Sequence, residues 1–405
     1  MQAAIQHINV LEVRRSHHHH TPNLVLRLTI NHRTMRPYHT FIAPSVIAAL
    51  MACTLAGCPS TEETPPIAQD SASPLGQVVA EIDPRIWVIH QNRNGDYWFG
   101  SNGSGVYRYD GQQVTQYTPD DGLSGHQVRD IQEDAEGNVF ISTNGGVTKF
   151  DGTKFTTLEL VEAPPTEDGW ELNPDDVWIV FYPGNHGPYR YDGEKLYHLK
   201  LSKSPAEDAY RAKYPDSNFS PSDIYSIYKD RRGHLWFGTA NAGLCRYDGQ
   251  SLSWMYEERL TTTPSGGAFG IRSIYEDRAG NFWVCNTRQR FVISPEVELK
   301  DGHSLIEYEK KEGLPDAQSD TDENFAYYPS MTEDDAGALW MACGSDGVWK
   351  YDGEDVTRFA LSDGAYAISI LRDQEGKLWV GTVEHGIYTF EGTSFELFKP
   401  HDPNN

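Results

Sequence analysis

From residue 84 to residue 399 the chain keeps restating one arrangement of apolar and polar positions. Two apolar residues three apart are followed by Asp, by Gly three residues on and by Trp three after that. A small residue, a turn and Tyr-Asp-Gly complete the unit. The fourth copy is the clearest: Ile224, Ile227, Asp230, Gly233, Trp236, Gly238, Thr239, Gly243, Tyr247, Asp248 and Gly249. The first, second, fifth, sixth and seventh copies centre on Trp98, Phe140, Trp283, Trp340 and Trp379. A degenerate third copy offers Trp170, Glu171 and Leu172 as its first strand, a turn at residues 173–176, Trp178, and then Tyr191, Asp192 and Gly193. A period of about 40 residues with four short strands per unit is that of propeller blades. The expected fold is all-β: a seven-bladed β-propeller of four-stranded antiparallel blades over residues 84–399.

Each position has a physical task. In Asp-x-x-Gly the Asp side chain caps its own turn and the Gly is free to take positive φ, so the first hairpin closes there. Trp brings a large apolar body to the layer between blades, and the small residue two places later lets the next sheet approach. Asp-Gly in the last turn matches the twist of its flanking strands.

These residues resemble the two-component regulator propeller repeat. Residues 122–152 carry the resemblance in Gly122, Leu123, Ser124, Val128, Ile131, Asp134, Gly137, Phe140, Asp151 and Gly152. In that family the repeats commonly form the periplasmic sensor of hybrid two-component systems, often for carbohydrate signals, so the resemblance implies the fold and an extracytoplasmic sensory role. Residues 400–405 are expected to be a tail, too short for a membrane helix, a kinase or a DNA-binding domain.

With the first strand of each unit lining a central channel, loops between units emerge on one face. The extra length falls there, near residues 158–168, 199–223, 257–270 and 309–327. Loops on a rigid scaffold commonly carry binding. The same face holds the starts of the channel strands, Trp87, Arg129, Tyr225, Arg272 and Tyr328, together with His126, His186 and His385. Aromatic faces beside guanidinium forks suit a sugar or an anionic small molecule. The competing reading is that they fill blade junctions near the rim.

The start of the chain changes the setting. A short basic stretch from Met35, an apolar run over residues 41–55, and Leu55, Ala56, Gly57 and Cys58 read as a secretory signal. Those last four residues resemble the lipobox of bacterial lipoproteins, so residues 35–58 are expected to be a lipoprotein signal peptide with Cys58 lipidated. Residues 59–83 are polar and proline-rich, as in a flexible tether. Residues 1–34, with His17 to His20, read as a mis-called N-terminal extension. The membrane is then reached only through the lipid anchor of the cell envelope.

Composition narrows the partners. With 34 basic and 58 acidic residues the net charge is −24, a field that repels nucleic acid. No cofactor is expected. The most acidic loop, Asp316, Asp320, Asp322 and Glu323, is the candidate for calcium, although it lacks EF-hand spacing. Cys245, Cys285 and Cys343 allow one disulfide and a free thiol, or three buried small residues between blades. Three functions follow: a ligand-binding or sensory lipoprotein for a small molecule or glycan, an envelope scaffold for a protein partner, and a propeller lyase or hydrolase. The first ranks highest, because no catalytic pair is identifiable.

Overall fold

The computed structural model describes residues 75–400 apart from 163–169, 182–186, 216–219, 265–269, 317 and 319–321. They belong to the larger of two compact units, which begins at Asp70. Cys58, the signal segment and the four consecutive histidines lie outside the described residues. Among the described residues almost all regular structure is short strand, with α-helix only at Glu207–Lys213 and Glu258–Thr261. The fold is a β-propeller of antiparallel sheets.

In the fourth to seventh copies the Asp of the Asp-x-x-Gly turn does two things at once. In the fourth copy one carboxylate oxygen of Asp230 accepts the backbone N–H groups of Arg232 and His234 at 3.0 and 2.8 Å, and the other accepts the indole Nε1–H of Trp236 at 2.9 Å. The same carboxylate–indole bond recurs from Trp283 to Asp277, Trp340 to Asp334 and Trp379 to Asp373 at 2.7–2.8 Å. The turn that closes the first hairpin therefore also satisfies the one polar atom of the ring buried beside it.

The core lies between sheets. The second-strand ring of each copy meets an aromatic ring of the next: Trp98 with Phe150, Phe140 with Tyr191, Trp178 with Phe237 and Trp236 with Phe282. Trp283 with Tyr351, Trp340 with Phe390 and Trp379 with Tyr97 continue the series. These seven contacts return to the first copy. There Tyr97 also donates to Asp373 at 2.7 Å, and Phe398 packs on Phe99 and Tyr109. A small residue at the second-strand position expected for it lets neighbours close in: a Cβ on Gly238 would clash with the Ile271 carbonyl, and one on Gly381 would lie 2.6 Å from the Ile86 carbonyl oxygen.

Three expectations need correction. First, the tether is shorter than residues 59–83 imply, since Gln77–Val79 pairs antiparallel with Val114–Tyr117 as a fifth strand of the first sheet, where Val79 and Ile82 pack on its core.

Second, Trp170 to Leu172 form no strand. The third sheet consists of Val177–Ile179, Tyr189–Tyr191 and Leu196–His198, with Leu160–Glu162 parallel on its outer edge. Lacking the aliphatic pair of the other copies, the segment places its Trp170 ring in the layer between sheets, 5.9 Å from Trp178 and 5.0 Å from Tyr247.

Third, the strands of the fourth and fifth copies share one eight-stranded sheet through a parallel bridge of Trp254 to Leu305. The cause is a hairpin, Arg290–Lys300 and His303–Lys311, much longer than its counterparts. It covers the exposed edge of Leu252–Met255, the usual remedy for an unpaired strand. Of the two readings open for the cysteines, the structure has the second: Cys245, Cys285 and Cys343 are all free and buried.

Candidate functional site

In the channel strands the first and fourth positions are the apolar pair, and the second position lines the central cavity. Four of these strands carry a register shift at that place, between Ile86 and Val88, Val128 and Asp130, Ile224 and Ser226, and Ala367 and Ser369. A bulge frees the extra residue from the ladder and re-aims its side chain. The residues so released are Trp87, Arg129, Tyr225 and Ile368.

Trp87, Arg129, Tyr225 and Arg272 all line one central cavity of about 260 Å³, together with Asp130, Gln132, Val180, Ser226, Ser330 and Ser369. The cations stack on the aromatic of the copy before: the Arg129 guanidinium lies 5.0 Å from the Trp87 ring centre and that of Arg272 lies 4.7 Å from the Tyr225 ring. Such stacking fixes the plane of each fork.

Tyr328 is misplaced by one residue in the sequence reading. It is fully buried, and its hydroxyl donates to the carbonyls of Val284 and Thr287 at 2.7 and 2.8 Å. It occupies the first, core-facing position, and the mouth position of that strand is Pro329, which lines the cavity. His126 is exposed, His385 is half-buried beside Thr382, whose hydroxyl accepts its backbone N–H at 2.9 Å, and His186 lies outside the described residues. None of the histidines lines the cavity among the described residues. In the acidic loop Asp316 pairs with Arg358 at 3.0 Å and Asp322 pairs with Arg259, while Asp320 lies outside the described residues.

Sequence reasoning missed Asp130. The third position of the channel strands is a small clasp to the next strand: Ser226 donates to the Ile271 carbonyl at 2.8 Å, Ser273 to that of Tyr328 at 2.5 Å and Ser330 to that of Ile370 at 3.3 Å. In the second copy Asp130 takes this role as an acceptor, from the Val180 backbone N–H at 2.8 Å and from Gln132 Nε2 at 2.9 Å. An Asp where the other copies keep Ser or Val was the available signal.

Burial pushes the Asp130 carboxyl up to about 6, the bonds from Val180 and Gln132 opposing it only in part. A carboxyl whose folded value lies above the ordinary value of about 3.9 binds its proton more tightly in the fold. Its contribution to stability is therefore full below about pH 4 and is lost as pH rises through 6. Asp130→Asn should gain stability over the wild type at pH 7.5 and little or none at pH 4.5, read from urea midpoints. An equal difference at both pH values would remove this assignment.

The two-component regulator propeller family model matches residues 218–241 and 360–384, each running from an inter-repeat loop through a channel strand and the Asp turn to the second strand. This chain carries two-component regulator propeller repeats. The matched repeats are the fourth and the seventh, and residues 122–152 are not among the matched segments. No curated protein matches the sequence.

Among solved structures, the extracellular domain of a one component system from B. thetaiotaomicron is 20% identical, with a TM-score of 0.51 over 79% of this chain and 41% of that one. The chain thus spans about two fifths of that relative. Virginiamycin B lyase from Staphylococcus aureus, solved with quinupristin, is 15% identical, with a TM-score of 0.53 over 77% of this chain and 97% of the lyase. PorZ, a surface component of the type-IX secretion system of Porphyromonas gingivalis, is 16% identical, with a TM-score of 0.51 over 77% and 47%. These likenesses establish the propeller fold around the repeats.

Proposed function

We propose that this chain is an exported, lipid-anchored binding module, its seven copies closed into one ring, with a small-molecule or glycan ligand held at the channel mouth. The observation that carries the reading is the set of second-position side chains. Bulges release Trp87, Arg129 and Tyr225 from the ladder, and these converge with Arg272 on one cavity. Aromatic surface that stays accessible beside oriented cations is costly to build for packing alone and is the usual lining of a ligand site. The cycle of aromatic contacts from Trp98 round to Tyr97 supports a single ring of seven blades. Export is supported by the signal-like run that ends at Cys58 and by the extracellular setting of the B. thetaiotaomicron relative.

Titrating the protein with a panel of neutral and acidic monosaccharides, followed by tryptophan fluorescence, tests the site. Trp87→Ala should weaken the best binder about tenfold or more, since a buried contact costs about 1 to 3 kcal/mol. Arg232→Ala, in an exposed turn of the other face, should leave it unchanged. The reverse pattern would put the ligand on the wrong side of the ring. The anchor is read separately: Cys58→Ser should block incorporation of labelled fatty acid, and unaltered labelling would leave plain secretion.

A further inference from the structure

The two cations of the mouth occupy matching positions but are held differently. Arg129 is braced, its Nη1 donating to Asn102 Oδ1 at 3.1 Å and its Nη2 to Gln127 Oε1 at 3.4 Å while it stacks on Trp87. Arg272 is oriented without being consumed. Its backbone N–H meets Cys285 Sγ at 3.0 Å and its guanidinium lies over Tyr225, with no hydrogen bond or ion pair from the guanidinium among the described residues. In a chain with 58 acidic residues, a half-buried fork of five donors that meets no carboxylate stands out.

The fork of Arg272 is held in a fixed plane. Tyr225 lies flat beneath the fork because residue 270 is Gly at φ +75: a Cβ there would lie 3.1 Å from the ring. The rest of the lining differs. Asp130 and Gln132 of the second copy, with the hydroxyls of Ser226, Ser330 and Ser369, offer neutral or acceptor groups.

We infer that the mouth reads a carboxylate through Arg272, and that its ligand is a compact hydroxylated monocarboxylate of the sugar-acid class. The planar fork matches a carboxylate in two parallel bonds. A dianionic phosphate finds one uncommitted cation here and shares the cavity with the Asp130 carboxylate. Hydroxyls at the neutral end meet Asp130 and Gln132 as acceptors. A volume of about 260 Å³ lies just below the usual span of ligand pockets, about 300–1,000 Å³, and sets the size near one sugar ring.

This inference rests on the channel mouth being the ligand site, and calorimetry on the full mature chain separates the two. D-glucuronate should bind at least about tenfold more tightly than D-glucose and than glucose 6-phosphate. Arg272→Gln should cost glucuronate about tenfold or more and leave glucose unchanged, with the same melting temperature as the wild type. Arg129→Gln should lower the melting temperature more than the affinity. Glucuronate that binds no better than glucose, that is untouched by Arg272→Gln, or that does not bind at all overturns the carboxylate assignment. Neutral-sugar binding that is still lost on Trp87→Ala would leave the mouth in place, whereas binding indifferent to Trp87→Ala would remove the site as well.

Discussion

Gly381→Val is expected to part the sheets of the seventh and first copies and to cost about 3 kcal/mol or more, at the upper end for overpacking. Gly381 sits in Leu378–Thr382, two residues after Trp379, with its backbone against the channel strand Ile86–Gln91. A Cβ would lie 2.6 Å from the Ile86 carbonyl oxygen and against the Ser369 hydroxyl. The Ser369 side chain can turn aside, but the Ile86 carbonyl cannot move without disturbing the first-sheet ladder. That ladder is tied to the seventh sheet by Gly386 N–H to the Pro84 carbonyl at 2.7 Å and Gln374 N–H to Gln91 Oε1 at 2.8 Å. Thermal melts of wild type, Gly381→Ala and Gly381→Val should fall in that order. Hydrogen exchange in the valine protein should quicken first in Ile86–Gln91. A valine variant that melts within about 1 °C of wild type would show that the sheets are not in the contact described.

Much of this architecture could be read from the chain because each repeat states the same local physics several times. The Asp, the Trp and the small residue after it were legible as turn, interlayer ring and approach point, and they hold in Asp230, Trp236 and Gly238. The indole bond to the Asp was not foreseen, since spacing of six along the chain does not reveal that a hairpin folds one side chain back onto the other. The third copy failed where its pattern failed: Trp170 has no aliphatic partner three residues on and is better buried between sheets than in a strand.

At the mouth, the positions of Trp87, Arg129, Tyr225 and Arg272 were legible from their alignment beside the apolar pairs. The pairing of each cation with the preceding aromatic was not, because it depends on bulges that sequence spacing does not register. Tyr328 shows the cost of a one-residue slip in a strand of period two: the side chain moves from the mouth to the core.

The Asp turn supplies the second large effect. Asp277 accepts from Ala279 N–H and Asn281 N–H at 2.9 Å each, from Asn281 Nδ2, and from Trp283 Nε1 at 2.8 Å. Asp277→Ala removes both turn caps and leaves a fully buried indole N–H without a partner. With hydrogen bonds to a charged acceptor worth about 1.5–3 kcal/mol and an orphaned buried donor costing about 1–3, a loss of about 3 to 5 kcal/mol is expected. That is a large share of the 5–15 kcal/mol that usually separates folded from unfolded protein.

The first copy contains the conservative variant by nature. Asn92 stands where five of the other copies have Asp, and its Oδ1 still accepts from Asn94 N–H and Asp96 N–H at 3.1 and 2.9 Å, while Trp98 Nε1 finds no acceptor. Asp277→Asn should reproduce that state, keeping the caps and losing only the indole bond, for about 1 to 2 kcal/mol. Urea midpoints should therefore order as wild type above Asp277→Asn above Asp277→Ala, each step resolved. If the Asn variant matches wild type, the indole bond contributes nothing; if it matches the Ala variant, the caps contribute nothing, and the two-part role of this carboxylate is wrong.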